Sequence, residues 1–141
     1  MSTVLWANVL HGADVKSEET DRYALYKHAD KLDAITRQLG LPAFNEFCDT
    51  TDLRFNTDED LQLPEGMTST NELMARDGVW LEGTRAVETL ERLLTHIREH
   101  QVRFGLLSNQ HDEVVSELEE VIAFLRAEPG SGTKFNFSVV M

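Results

Sequence analysis

The chain has 141 residues, the size of one domain, and we expect a single globular domain over residues 1–141. Its 25 Asp and Glu against 13 Lys and Arg give a formal net charge of −12, which argues against nucleic acid and membrane surfaces as partners and favours a basic protein. The single cysteine, Cys48, excludes an internal disulfide, and the N-terminal residues match neither a signal peptide nor a membrane span, so we expect a cytoplasmic protein.

The first half of the chain predicts one strand and one long helix. Residues 4–10 form a short apolar run bounded by turn residues, which is typical of a strand. Residues 21–39 carry apolar side chains at helical spacing and predict a long amphipathic helix. Residues 41–47 suggest two short turns, and residues 49–68 show no sustained period.

The next segment predicts a short helix followed by a long one. Ser69 and Glu72 have the spacing of a capping box, which indicates the start of a helix, and Gly78 is a suitable end for it. Residues 84–101 then place apolar side chains along one face and predict the second long helix.

The last third of the chain predicts a third long helix and a final strand. The helix covers residues 109–128 and ends at Pro129 and Gly130, and residues 134–140 alternate between apolar and polar as a strand does. The expected fold class is therefore mainly α, within α+β. We expect a single-domain helical bundle of three long and one or two short helices, with short N- and C-terminal β-strands that pair. They pair either with each other or with a second copy, and the second case predicts a homodimer through the terminal strands.

A histidine pair in the second long helix resembles a zinc motif. Residues 96–100 read HIREH, the H-x-x-E-H pattern of the inverzincin metallopeptidases. Projection on a helix places His96 about 120° and His100 about 80° from the centre of the apolar stripe, on its more polar half. An inverzincin also needs a third ligand from well downstream in a larger domain. We therefore expect no metal and no cofactor, with His96 and His100 as surface histidines that hold at most adventitious zinc or nickel.

A catalytic site would have to be built from scattered residues, because the common nucleotide-binding and hydrolase motifs are missing from the sequence. His28 lies at the centre of the apolar stripe of the first predicted helix. It is either a core histidine bonded to a backbone carbonyl or to a side chain from the acidic loop, or a base that forms a catalytic dyad with Cys48 or with a carboxylate of residues 49–60. Asp49 and Asp52, in the acidic loop of residues 49–60, are the other catalytic candidates. We expect the core histidine, and an enzyme is the weaker alternative.

Two acidic stretches are candidates for binding a partner. The third long helix carries glutamates at i, i+4 and i+7 beside its apolar face, with no lysine on the helix to offset their repulsion. These glutamates are Glu113, Glu117 and Glu120. The acidic loop adds a second group, Asp58, Glu59 and Asp60. Each stretch is either a solvated surface or an electrostatic docking surface.

Three functions are therefore open from the sequence. The first, which we prefer, is a small acidic cytosolic protein-binding module that docks a basic partner through the acidic helix and loop, as adaptors, inhibitors and immunity proteins do. The second is a homo-oligomer with a housekeeping role. The third is a small enzyme with its site near His28, Cys48 and residues 49–60.

Overall fold

Six α-helices pack against a five-stranded sheet in the structure of the protein, a computed structural model that describes residues 2–128 and 132–141. The fold is α+β, so the prediction of a helical bundle with only short terminal strands is wrong. The strands are β1 (Val4–His11), β2 (Asp14–Arg22), β3 (Cys48–Asp49), β4 (Leu81–Glu82) and β5 (Lys134–Val140). The helices are α1 (Tyr23–Lys27), α2 (Ala29–Gln38), α3 (Thr51–Thr57), α4 (Thr70–Asp77), α5 (Gly83–Glu99) and α6 (His111–Arg126).

The two terminal strands form the centre of the sheet. β1 pairs antiparallel with β5, from Val4 opposite Val140 to Leu10 opposite Lys134, which confirms that the N- and C-terminal strands pair. β2 forms a hairpin with the other side of β1, while β3 and β4 share the remaining side of β5, β3 running parallel to it. Both terminal strands have neighbours on each side. A homodimer through their edges would first have to break these pairs.

β2 accounts for most of the difference between prediction and structure. The chain stays extended to Arg22, and the predicted helix of residues 21–39 is divided into α1 and α2 with His28 between them. The side chains of β2 are almost all polar and mostly exposed or half-buried, so the strand has no apolar period that would reveal it. Main-chain pairing with β1 forms this edge strand, and burial of apolar side chains of its own contributes little.

One face of the central strands is apolar, and the other carries both polar and apolar side chains. The apolar face packs with α2, α5 and α6 in the main core; its side chains are Leu5, Ala7, Val9, Phe135, Phe137 and Val139. On the other face, which α3 and α4 cover, buried Asn8 donates to Asn136 Oδ1 at 2.9 Å and to Ser138 Oγ at 3.0 Å. The molecule thus has three layers, and the second interface contains polar groups that bind one another.

The two longest helices are the ones that the sequence predicts. α5 and α6 lie within two residues of the predicted bounds, because each has a long apolar stripe that the core buries. The capping box is also confirmed: Ser69 Oγ accepts from the Glu72 N–H at 3.3 Å, and Glu72 Oε2 accepts from the Thr68 N–H at 3.0 Å. The predicted helix stop at Pro129 and Gly130 lies outside the described residues.

Two short segments differ from the predicted pattern. Residues 41–47 contain one 3₁₀ turn, Phe44–Phe47, where two turns are predicted. Residues 49–68 contain α3, which is too short to show a period. Within the described ranges, no helix has both the length and the apolar character needed to cross a bilayer.

Candidate functional site

Glu117 of the predicted docking stripe caps the start of α1. Its Oε1 accepts a hydrogen bond from the Leu25 N–H at 3.0 Å, and its Oε2 accepts one from the Ala24 N–H at 3.2 Å. These N–H groups belong to the first turn of α1 and have no acceptor within that helix. Burial raises the pKa of Glu117, although the two hydrogen bonds and Arg22 act in the opposite direction; the carboxylate of Glu120 adds to the rise. Glu117 is therefore part of the internal structure.

Glu120 is held by Arg22, a residue that sequence reasoning missed. Arg22 is only 4% exposed, and its guanidinium donates to Glu18 Oε2 at 2.6 Å and to Glu120 Oε2. The guanidinium is buried while Glu18 is 29% and Glu120 55% exposed, so the two glutamates compensate a charge that burial would otherwise leave without a partner. The repulsion expected along α6 is thus offset at Glu120 by a cation from β2, while Glu113 makes no salt bridge among the described residues. Gly12, in the turn between β1 and β2, was the sequence signal for the hairpin that positions Arg22.

An open cleft of about 420 Å³ lies between the end of β2 and the first half of α6. Five of its eight lining residues carry carboxylates, and one carries a guanidinium; the residues are Thr20, Asp21, Arg22, Asp112, Glu113, Ser116, Glu117 and Glu120. Asp112 and Glu113 are exposed and, within residues 2–128 and 132–141, make no salt bridge. Their charges are available to a ligand, whereas those of Glu117 and Glu120 are already used.

The acidic loop does not contribute to this cleft. Asp58, Glu59 and Asp60 are exposed directly after α3, and Asp58 Oδ1 accepts from the Asp60 N–H at 2.9 Å. None of the three lines the cleft. The sequence-predicted docking surface is thus two separate groups of carboxylates.

A second groove, between α5 and α6, has a different charge balance. It encloses about 460 Å³, and the carboxylates along it are paired. Arg98 lies 2.6 Å from Glu119, and Arg126 donates to Glu91. The carboxylates of α6 that make no salt bridge among the described residues, Asp112 and Glu113, thus line the cleft beside β2 and not this groove.

The catalytic candidates Cys48 and Asp49 are engaged with the backbone. The Cys48 thiol donates to the Phe44 carbonyl at a distance of 3.4 Å, and burial, with the negative charges of Asp33 and Asp49, raises the pKa of the thiol to about 12. A thiol with this pKa is protonated at neutral pH and is a poor nucleophile. Asp49 is 3% exposed, and its two oxygens accept the N–H groups of Thr51 (2.8 Å) and Val79 (2.9 Å).

The other two candidates, His28 and Asp52, have separate partners. His28 Nε2 lies 2.7 Å from Gln110 Oε1, which is neither the backbone carbonyl nor the loop side chain expected from the sequence. Asp52 accepts from Thr70 Oγ1 at 2.7 Å and from Asn56 Nδ2 at 3.0 Å. Among the described residues, His28, Cys48, Asp49 and Asp52 thus form no hydrogen bond with one another, and the structure assembles no catalytic dyad from them.

The histidine pair of α5 is stacked. The rings of His96 and His100 have their centroids 4.2 Å apart, and His100 Nδ1 donates to the His96 carbonyl at 3.1 Å, so that nitrogen is not free to bind a metal. In the part of the chain that the structure describes, no three His, Cys, Asp or Glu side chains cluster as metal ligands. That the protein holds no functional metal stays a prediction.

No family model, no curated protein and no solved structure matches the chain.

Proposed function

We propose that the protein is a small acidic protein-binding module of the cytoplasm, of the adaptor, inhibitor or immunity type, that docks a basic partner at the cleft between β2 and α6. The observation that supports this most strongly is the pair of carboxylates Asp112 and Glu113, which make no salt bridge among the described residues and line a cleft whose one cation in that part of the chain, Arg22, is already shared by two glutamates. The single free cysteine is consistent with a reducing compartment.

Two kinds of carboxylate have different roles in this proposal. Glu117 and Glu120 hold α1 and Arg22 in place, so they shape the wall of the cleft. Asp112 and Glu113 are at the start of α6, where a lysine or arginine of the partner can pair with them without displacing an internal contact. Exposed charges of this kind mainly raise the association rate, and their effect is screened over about 8 Å at physiological ionic strength.

The test compares bait proteins that carry equal changes of charge at different places. Asp112→Lys with Glu113→Lys alters the cleft, whereas Glu59→Lys with Asp60→Lys makes the same change on the separate acidic loop. Pull-downs from lysate of the source organism, at low and physiological salt, should recover a basic partner with wild type and with the loop variant, more strongly at low salt. The cleft variant should lose it, while circular dichroism shows both variants folded.

Two results would contradict the proposal. Equal recovery with wild type and the cleft variant would show that Asp112 and Glu113 do not contact the partner. Loss with the loop variant alone would move the docking surface to Asp58, Glu59 and Asp60.

A further inference from the structure

The loop between α5 and α6 presents two adjacent leucines to solvent. Leu106 is 95% exposed and Leu107 is fully exposed, whereas every other large apolar side chain classed as exposed among the described residues is at least half covered. Single exposed apolar residues are normal on a protein surface. Two neighbouring ones that are both fully solvated form an apolar patch of the kind that interfaces cover.

Hydrogen bonds fix the backbone on which these leucines stand. Asn109 Oδ1 accepts from the Phe104 N–H at 2.9 Å and from the His111 N–H at 3.1 Å. The guanidinium of Arg103 donates to the carbonyls of Gly105 and Leu106, at 2.8 and 3.0 Å. Because the loop is already ordered, little further conformational entropy is lost when it binds.

The loop conformation also depends on its glycine and on the helices below it. Gly105 has φ +107°, and a Cβ there would lie 2.4 Å from the Ser108 carbonyl oxygen, so only glycine fits. His28 binds Gln110 and packs against the Phe104 ring, with centroids 5.4 Å apart. The side of the loop that faces the protein is thus held by hydrogen bonds and packing, while the side chains of Leu106 and Leu107 face solvent.

Charged side chains border the loop on two sides. Lys31 donates to the Arg103 carbonyl, so these two cations lie on the side of α2. Asp112 and Glu113 lie on the side of β2, where they line the acidic cleft. Within residues 2–128 and 132–141 none of the four makes a salt bridge, although eight of the chain's 13 Lys and Arg do.

We propose that this loop is the centre of a two-fold interface with a second copy of the chain. A two-fold axis through the leucine pair places the leucines of one copy against those of the other. The same rotation exchanges the two sides of the loop, so Lys31 and Arg103 of one copy meet Asp112 and Glu113 of the other. A second copy thereby places leucines against the leucines of the first. Its acidic side chains stand opposite the basic side of the first loop, and its basic side chains opposite the acidic side. The net charge of −12 disfavours an anionic membrane as the occupant. It also makes two copies repel each other at long range, so the local charge pairs are what favours a second copy.

The interface is independent of the terminal strands, whose edges are occupied. It is small, and we expect a weak dimer with a Kd of about 10–100 μM. The dimer covers Asp112 and Glu113, so a basic partner that docks at the cleft competes with it.

Sedimentation equilibrium over a range of protein concentrations tests the apolar contact. Wild type should dimerise, and Leu106→Ser with Leu107→Ser should raise the Kd by at least about a hundredfold, because each leucine fully buried is worth roughly tenfold or more in affinity. Leu61→Ser is the matched control, since Leu61 is 45% exposed at a different place, and it should dimerise as wild type does.

A charge exchange tests the orientation of the two copies. Lys31→Glu and Asp112→Lys should each raise the Kd, by about tenfold for the loss of a charged pair, and the double variant should recover most of the wild-type affinity. Circular dichroism confirms that each variant is folded.

Three outcomes would overturn the dimer. They are a wild type that stays monomeric at all concentrations, a leucine variant that dimerises like wild type, and a double charge variant that associates no better than the single ones. A monomeric wild type that sediments with phosphatidylserine vesicles would assign the leucines to a lipid surface. A monomer that still captures a basic partner would overturn only the dimer and leave the proposed docking function standing.

Discussion

Replacement of Glu117 by alanine tests whether this glutamate is an internal cap or a free surface charge. The change removes both acceptors of the first-turn N–H groups of α1, those of Ala24 and Leu25. Both residues are almost fully buried, so water replaces the carboxylate poorly. If Glu117 were a solvated charge on a repulsive stripe, the same change would be neutral or slightly stabilising.

The expected loss follows from the two hydrogen bonds. Loss of a helix cap costs about 0.5–2 kcal/mol, and a hydrogen bond to a charged group is worth about 1.5–3 kcal/mol. Part of this loss of stability is offset, because alanine also removes the cost of half-burying a carboxylate, whose pKa is raised by burial. We therefore expect a net loss of about 1–3 kcal/mol, which lowers Tm by roughly 3–9 °C in a chain of this size.

Thermal unfolding followed by circular dichroism at pH 7 measures this loss. Glu113→Ala is the matched control, since Glu113 is exposed one turn earlier on the same helix and makes no salt bridge within the described ranges. It should change the stability by no more than about 0.5 kcal/mol. Equal melting temperatures for the two variants would refute the capping role of Glu117. The residue would then again be a candidate for the docking surface.

Two further predictions follow from titratable groups. Raising the pKa of Cys48 from 9.0 to about 12 lowers its thiolate fraction at pH 8 about a thousandfold, so a disulfide reagent should label the folded protein far more slowly than the urea-unfolded protein; rapid labelling of the folded state would contradict this. The folded pKa of Glu117 lies above its ordinary value of 4.5, so the folded state binds this proton more tightly and the group contributes most stability below pH 4.5. That contribution falls as the pH rises through the folded pKa, so wild type should lose stability relative to Glu117→Gln as the pH rises above 4.5, as measured by urea unfolding; a constant difference would show that the pKa is not raised.

Apolar periodicity predicts those elements that bury one face against the main core. α5 and α6 are examples, and so is β5, where Phe135 and Phe137 point to the same side. β2 gives no such signal, because its side chains are polar and one of its edges is open. β2 is held by main-chain hydrogen bonds to β1. These bonds join two segments, so the periodicity of one segment does not indicate them.

The candidate site was only partly predictable for the same reason. The carboxylates of α6 are visible in the sequence, but their partners come from segments about ninety residues away, such as Arg22 and the first turn of α1. Arg22 was assigned to a helix, so nothing indicated that it would be buried. From the sequence, a backbone carbonyl or a loop side chain is expected as the partner of His28, and the partner in the structure is instead the side chain of Gln110.

The pairing of β1 with β5 also determines when the sheet can form. The paired residues are separated by almost the whole chain, and contacts of such long sequence separation form slowly because a large loop must close first. During synthesis, β1 and β2 leave the ribosome as a hairpin long before β5 is made, with the apolar side chains of β1 uncovered. The sheet is completed only when the last strand enters between β1 and the two short strands. Until then β1 has an unpaired edge on the side that β5 covers, and an exposed edge of this kind favours aggregation.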